Sequence, residues 1–424
     1  MIKTILGPPG CGKTQTNSNL IRNCIEDGID PDRIACVSFT RKAATESKNR
    51  VCNDWGLEED MLPYFRTLHS MAFLAGGYKS AEVMSGKDLK LIGDEIGIAF
   101  GRQKSSDIET DFDQLGQAEG DYYLGLYHLG RSQMLSLEDA YQKHGSHHLH
   151  WSELRRLVDA YEDYKRVNGK IDFADMIETF VERQVPLDIE ALFVDEAQDL
   201  STLQWKMVDI LRDTPHIQVF TGDDDQAIMG FQGADVEAFM AATKEKEVLS
   251  QSYRVPKEPW REACNIASRI AGREHKDWMP TSEDGFVQSH QDIWDVPLEE
   301  GNWCIMARTN RIASTYANVL KEDGWIYRRF GKPSIPTKMY EAILDWERLC
   351  KGDELFISEL RNIYLFMDIE KEITRGFGPK SQKMRLFDEE TPINMETAKK
   401  SLGLLANENM RWHQALGKID DFNR

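Results

Sequence analysis

The chain alternates short apolar runs with amphipathic ones, and their order is informative before any single residue is. IKTIL (2–6) leads to a helical pattern from Lys13 toward Glu26 that Gly28 stops, then to the apolar run IACVSF (34–39) and a second helical pattern, RKAATESKNRV (41–51). Unbroken apolar runs between amphipathic helices predict strands buried on both faces, hence βαβα units and a parallel sheet. From about 75 to 170 the strand pattern fades. LSLEDAYQKH and WSELRRLVDAYEDYKRV, around the acidic stretch SDIETDFDQLGQAEGD (106–121), predict a helical insertion. Strands return at ALFVDEAQD (191–199), IQVFTGDDDQ (217–226) and EVLSQSYR (247–254), each an apolar run ending in polar residues, as ligand sites at the carboxyl ends of parallel strands require. Beyond about 255 the pattern predicts a helix, a strand in NWCIMARTN (302–310), a further helix, and GWIYRRFG (324–331) as part of a second α/β domain. From 337 it reads mostly helical.

Composition narrows this α/β reading. With 424 residues, 41% of them hydrophobic, the chain has material for two or three ordinary cores. Lys and Arg number 52 against 71 Asp and Glu, a net charge of −19, so polyanions are repelled at long range and nucleic acid must be met on a local basic track. Seven scattered cysteines without a CxxC pair predict reduced thiols rather than a disulfide framework. No apolar stretch approaches membrane-spanning length, and Lys3 and Pro8 interrupt the start too early for a signal peptide. A soluble, cytoplasmic protein with no membrane partner is expected.

The chemistry begins at GPPGCGKT. Gly7, Gly12, Lys13 and Thr14 fit GxxxxGK[ST] after a strand and at the opening of a helix, which makes a nest of backbone N–H groups aimed at an anion. In that reading Gly7, Pro8, Pro9, Gly10, Cys11 and Gly12 cradle the β-phosphate, Lys13 reaches the β/γ oxygens, and the Thr14 hydroxyl ligates Mg²⁺; ATP and Mg²⁺ are the expected cofactors. FVDEAQD supplies Asp195 to hold the metal and Glu196 to orient and deprotonate the attacking water. Gln226 in GDDDQ can sense the γ-phosphate or its water. Arg254 in SYR is a planar cation suited to transition-state charge, and Tyr253 can stack on the base. Two further clusters carry weaker signals. His144, His147, His148 and His150 are read as a solvated helix face, with a metal site as the alternative, and Arg131, Lys165, Arg166 and Lys170 as a solvated face or a basic strip on the insertion.

GPPGCGKT, SFTRKAATESKNR, TLHS, DFADMI, VDEAQDLS, GDDDQAIMGFQGAD and SQSYR, in this order, resemble the superfamily 1 DNA helicases of the UvrD/Rep/PcrA type over roughly residues 1 to 345. The resemblance implies RecA-like domains with helical insertions, ATP hydrolysis between them, and translocation along single-stranded DNA, usually 3′ to 5′. It assigns the first RecA-like domain to 1–74 and 171–247, the insertion to 75–170, a partial second RecA-like domain to 248–336, and a helical region like the start of the second insertion to 337–424. By the same resemblance Phe39 stacks on a DNA base with Thr40 and Arg41 near the backbone, Thr67 and His69 form a second DNA-side motif, and Phe231 stands where the family usually has a tryptophan. Asp172 and Asp175 form a structural corner.

The chain departs from the family pattern in three places. Only six residues precede Gly7 where a glutamine-containing segment that reads adenine is usual. Met229 replaces a usual tyrosine. After YEAILDWERLC no TxHxxKGLE segment and no TRA arginine follow. The expectation is therefore a DNA-dependent ATPase and helicase acting on single-stranded or tailed duplex DNA, incomplete as a single chain and completed by a second one. The alternative is a nucleotide-binding subunit that does not unwind DNA alone.

Overall fold

The computed structural model describes residues 1–101, 118–323, 325–367, 373–379, 381 and 392–405. They form two compact units, Met1–Ser289 and His290–Arg424. In the first unit the elements are β1 (Ile2–Leu6), α1 (Lys13–Glu26), β2 (Ile34–Ser38), α2 (Arg41–Trp55), β3 (Phe65–Arg66), α3 (Leu68–Ala75), α4 (Gly86–Ile96), α5 (Glu119–Ser132), α6 (Leu137–His144), α7 (Trp151–Asn168), α8 (Phe173–Arg183), β4 (Ala191–Asp195), α9 (Thr202–Leu211), β5 (Ile217–Gly222), α10 (Val236–Ala241), β6 (Lys246–Val248) and α11 (Lys257–Ala267).

The six strands form one sheet, ordered β3-β2-β4-β5-β1-β6, with every pairing parallel. Register aligns Leu6 with Gly222 and Ser38 with Asp195, so the strands end along one edge. Both faces are covered, which is why the strands read as continuous apolar runs. Ile5, Cys36, Phe193 and Val219 pack with Ile21 and Cys24 of α1 and Val51 of α2. Their neighbours Leu6, Val37, Val194 and Phe220 face the other way, onto Met71 of α3, Ile177 of α8, and Met207 and Val208 of α9. The α/β class with a parallel sheet is as expected.

Between β3 and β4 the chain builds a separate helical core. Leu154, Leu157, Val158 and Tyr161, at helical spacing on α7, are buried against Leu89 and Ile92 of α4 and Tyr123 and Leu124 of α5. Each such side chain contributes about 1.5–3 kcal/mol when fully buried. The excursion leaves and returns through a two-residue neck where Val83 bridges Ile171, with Met84 donating to the Ile171 carbonyl at 2.8 Å. Most of the acidic stretch, 106–117, lies outside the described residues.

Two surface readings are corrected here. Arg131 and Lys165 belong to no basic strip, since Lys165 has 4% of its side chain exposed and Arg131 11%. Lys165 reaches Asp172 and Asp175 at 2.8 Å each, and Arg131 reaches Asp172 at 2.9 Å, Asp175 at 2.7 Å and Glu178 at 2.5 Å. Buried cations need such partners to offset desolvation. Asp172 and Asp175 are thus the corner that fastens α5 and α7 to α8, and their reciprocal caps start α8. The histidines do not share a helix face. His144 ends α6 and bonds Gln133 at 2.7 Å, while His147 and His148 are exposed in the loop before α7 and His150 caps that helix. Among the described residues no group of three or more His, Cys, Asp or Glu could hold a metal ion. No disulfide forms among them.

The second unit contains α12 (Asn310–Glu322), a short antiparallel hairpin of β7 (Arg328–Arg329) and β8 (Lys332–Pro333), α13 (Thr337–Lys351), α14 (Ile357–Tyr364) and α15 (Met395–Ser401). Its core gathers Trp346, Leu349, Leu360, Ile363 and Tyr364. The run 302–308, predicted as a strand, has no strand partner among the described residues and leaves Met306 and Cys304 exposed. A periodic apolar run becomes a strand only where a neighbouring edge accepts its ladder bonds. The predicted helical tail beyond 405 lies outside the described residues. No described helix is long and apolar enough to cross a membrane.

Candidate nucleotide and nucleic-acid sites

The loop after β1 turns back over the sheet edge. Gly7 donates to the Gly222 carbonyl at 2.9 Å, which ties the loop to β5. Gly10 (φ 74°) and Gly12 (φ 82°) sit in the left-handed region, which a side chain would strain. Gly12 caps α1, so the N-terminal N–H groups of that helix face the loop. The stretch 252–254 packs on the loop from outside. Tyr253 N–H donates to the Gly10 carbonyl at 2.9 Å and the Ser252 hydroxyl to the Pro9 carbonyl at 2.8 Å. A Cβ on Gly10 would lie 2.5 Å from Cβ of Arg254. Arg254 and Tyr253 therefore stand beside Pro9 and Gly10 of the loop that also holds Pro8 and Cys11, and the Tyr253 side chain is exposed.

Lys13 folds back over this loop with Nζ 3.0 Å from the Gly7 carbonyl and 3.7 Å from Glu196 Oε2. Thr14 follows it on the first turn of α1, half-buried. Asp195 ends β4 and is buried. Its Oδ1 accepts from the Thr221 hydroxyl at 2.9 Å and from Glu196 N–H at 3.1 Å, and Thr221 is in turn held by Asn17 Nδ2 at 2.7 Å. Burial, then the neighbouring Glu196, pushes the Asp195 carboxyl above the usual carboxylate range. An all-oxygen set of hydroxyl and carboxylate suits a hard divalent cation, and such a cation would offset the charge that burial opposes.

Glu196 is in the left-handed region (φ 49°, ψ 45°), uncommon for a residue with a side chain. Gln198 Nε2 donates to Glu196 Oε2 at 2.9 Å, while Gln198 Oε1 accepts from Asp223 N–H at 3.1 Å. Gln226 Nε2 donates to Asp223 Oδ2 at 2.5 Å. One chain of hydrogen bonds thus runs from Glu196 to Gln226. Gln198, Thr221 and Asn17 were missed in the sequence, although Gln198 lies within DEAQD. Gln198 and Thr221 lie at the polar ends of apolar runs, which was the available signal for them, whereas Asn17 sits within α1.

Asp199, two residues beyond the helical turn's start, has an unpartnered buried Oδ1. Burial, then Glu196, pushes its carboxyl up to about 6. The folded chain thus holds this proton more tightly than the unfolded chain, where the value is roughly 4. Stability from this group is therefore lost as pH rises through about 6. Asp199→Asn is expected to melt at a higher temperature than the unaltered chain at pH 8, with the difference closing by pH 4. Equal melting temperatures at both pH values would show that Asp199 is not held neutral.

Of the candidate nucleic-acid residues, Phe39, Thr40, Arg41, Thr67 and His69 follow β2 and β3, and Phe231 follows β5. Phe39 follows β2 and is partly buried against the core, and the Thr40 hydroxyl caps α2 by accepting from Ala43 N–H at 3.2 Å, with Arg41 opening that helix. Thr67 follows β3, is buried, and caps α3 by accepting from Ser70 N–H at 3.2 Å. His69 packs edge-on against Phe173 at 5.4 Å. Phe231 lies on the turn after β5 and is 53% exposed. The Ser132 hydroxyl, at the end of α5, donates to the Gln232 carbonyl at 3.1 Å and props that turn.

Residues 3–247, which contain the sheet with its loop and both acidic turns, match the UvrD/REP helicase N-terminal domain. The chain belongs to the UvrD/REP helicase family. Among relatives, YjcD of Bacillus subtilis is 26% identical over 254 residues, covering 54% of this chain and 31% of that protein. The ATP-dependent DNA helicase PcrA of Staphylococcus epidermidis is 25% identical over 433 residues (92% of this chain, 56% of that protein). PcrA of Bacillus subtilis is 24% identical over 354 residues (77% and 46%). The chain thus spans between about a third and just over half of the length of these UvrD/REP relatives.

Proposed function

We propose that the chain binds ATP with Mg²⁺ at the β1–α1 loop and hydrolyses it as part of a motor that moves along single-stranded DNA in the 3′ to 5′ direction. The observation that carries this is the convergence of Lys13, Asp195, Glu196 and the Gln198–Asp223–Gln226 chain on one end of three adjacent strands. Lys13 exchanges its loop carbonyl and Glu196 for the β/γ oxygens. Thr14 and Asp195 would hold Mg²⁺, which supplies charge neutralisation at the phosphates. Glu196 takes the proton of the attacking water, Gln226 orients that water, and Arg254 faces the charge that develops. Tyr253 offers its exposed ring to the base.

In this reading 1–74 and 171–247 form the RecA-like ATPase domain, 75–170 its insertion, 248–336 the start of a second motor domain, and 337–424 a helical region. Phe39 and Phe231 stack on bases, Arg41 and His69 approach the backbone, and Thr40 and Thr67 act by fixing the turns they cap. Nucleotide and nucleic acid then lie side by side on one sheet edge. Phosphate release from ATP with and without a single-stranded oligonucleotide tests the whole reading, and no release under either condition would overturn it. Stacking is worth about 1–3 kcal/mol per base. Phe39→Ala and Phe231→Ala are each expected to weaken oligonucleotide binding about 5- to 150-fold at fixed salt in fluorescence anisotropy. Unchanged affinity in both would remove the stacking platform.

A further inference from the structure

The residues just beyond α11 hold a buried cation. Lys276 has a fully buried side chain, and its Nζ lies 3.0 Å from Asp223 Oδ1 and 2.9 Å from Asp225 Oδ2 and also pairs with Asp224. Arg273 forks onto Asp225 with two bonds of 2.6 Å. Burial alone would lower the Lys276 pKa, but the three aspartates more than offset it and raise it. A buried lysine stripped of water costs several kcal/mol without such partners.

What distinguishes this cluster from plain mortar is where Asp223 sits. One carboxylate oxygen meets Lys276, the other receives the Gln226 amide, and its backbone N–H reaches Gln198, which in turn holds Glu196. We propose that Lys276 is a positioning residue for Gln226, acting through Asp223; this rests on the ATPase reading above. With Lys276 in place Asp223 Oδ1 is held by the ammonium and Oδ2 accepts from Gln226 Nε2, so the Gln226 amide turns its nitrogen inward and leaves its oxygen for a water proton. Without Lys276 the three adjacent carboxylates lose the cation they share, Arg273 being bonded to Asp225, and Asp223 either draws away from Asp224 or swings toward water. Both release Gln226.

Lys276→Met tests the idea, with Lys276→Met/Asp224→Asn as a charge-balanced partner that keeps the cluster foldable. Turnover is expected to fall about 10- to 100-fold, as for a misplaced catalytic group, with nucleotide affinity unchanged. In a Gln226→Ala background the same substitutions should cost nothing further, because the residue they position is gone. Hydrogen exchange of 223–228, measured without nucleotide, should quicken in the double variant. Unchanged exchange overturns the proposal whatever the turnover does. Faster exchange with the full loss of turnover persisting beside Gln226→Ala also overturns it, since Lys276 would then act structurally and not through Gln226. No hydrolysis by the unaltered chain would instead withdraw the ATPase reading, and the role of Lys276 with it.

Discussion

Lys13→Ala is expected to abolish nucleotide binding, whereas Glu196→Gln keeps binding and loses turnover by about 10²–10⁴, the usual worth of a positioned base. Lys13 has 11% of its side chain exposed and is fixed between the Gly7 carbonyl and Glu196, so it is already aimed over the loop. Alanine removes that cation and leaves Asp195, Glu196 and Asp199 facing an incoming polyphosphate, a repulsion the loop N–H groups cannot offset. Glutamine at 196 keeps the shape and removes one negative charge, which favours binding while leaving no group to take the proton. Titration with a fluorescent ATP analogue and a phosphate-release assay separate the two. Equal affinity for the unaltered chain and Lys13→Ala would sink the assignment of the loop, and normal turnover by Glu196→Gln would sink that of the base.

The second large effect is on stability. Asp172→Ala is expected to cost about 3–5 kcal/mol, the range for breaking a buried ion pair by removing one partner. Asp172 receives Arg131 at 2.9 Å, Lys165 at 2.8 Å and the Tyr161 hydroxyl at 3.1 Å, and its Oδ1 caps α8 through Asp175 N–H at 2.9 Å. Asp172→Asn retains the cap, worth about 1 kcal/mol, so the difference between the two variants isolates the charge. Burial would raise the Asp172 carboxyl, but Arg131, then His128 and Lys165, hold it well below the usual range. Its stabilisation is therefore complete above the ordinary value of roughly 4 and is lost as pH falls toward the depressed one. Urea unfolding at pH 7 should show the full difference, narrowing in acid. A cost below about 1 kcal/mol at pH 7, typical of a surface pair, would mean that the corner is not a stabilising network.

The sheet and the glycine-rich loop after β1 were legible because their determinants are local. A strand buried on both faces writes itself as an apolar run, and a loop that must present N–H groups needs glycines at fixed spacing. Asp195 and Glu196 were legible for the same reason, as the polar end of such a run. Charge pairing is not local. Arg131 meets Asp172 across 41 residues and Lys276 meets Asp224 across 52, so a reader of neighbouring positions sees solvated charges where the fold makes buried contacts. The run 302–308 fails in the opposite sense, since its pattern is right for a strand but no described edge meets it. Gln198 was hidden because a glutamine beside a pair of acids carries no periodic signal.

Glu196 holds its carboxylate with a backbone that most side chains avoid (φ 49°), a conformation costing on the order of 1–2 kcal/mol per residue. Glycine would relax that turn, and asparagine would tolerate it better. Heat resistance and turnover therefore pull this position in opposite directions. A laboratory lineage selected only for survival at high temperature has an easy gain here, and on the proposed ATPase reading each chain that takes it gives up its base and keeps only nucleotide binding.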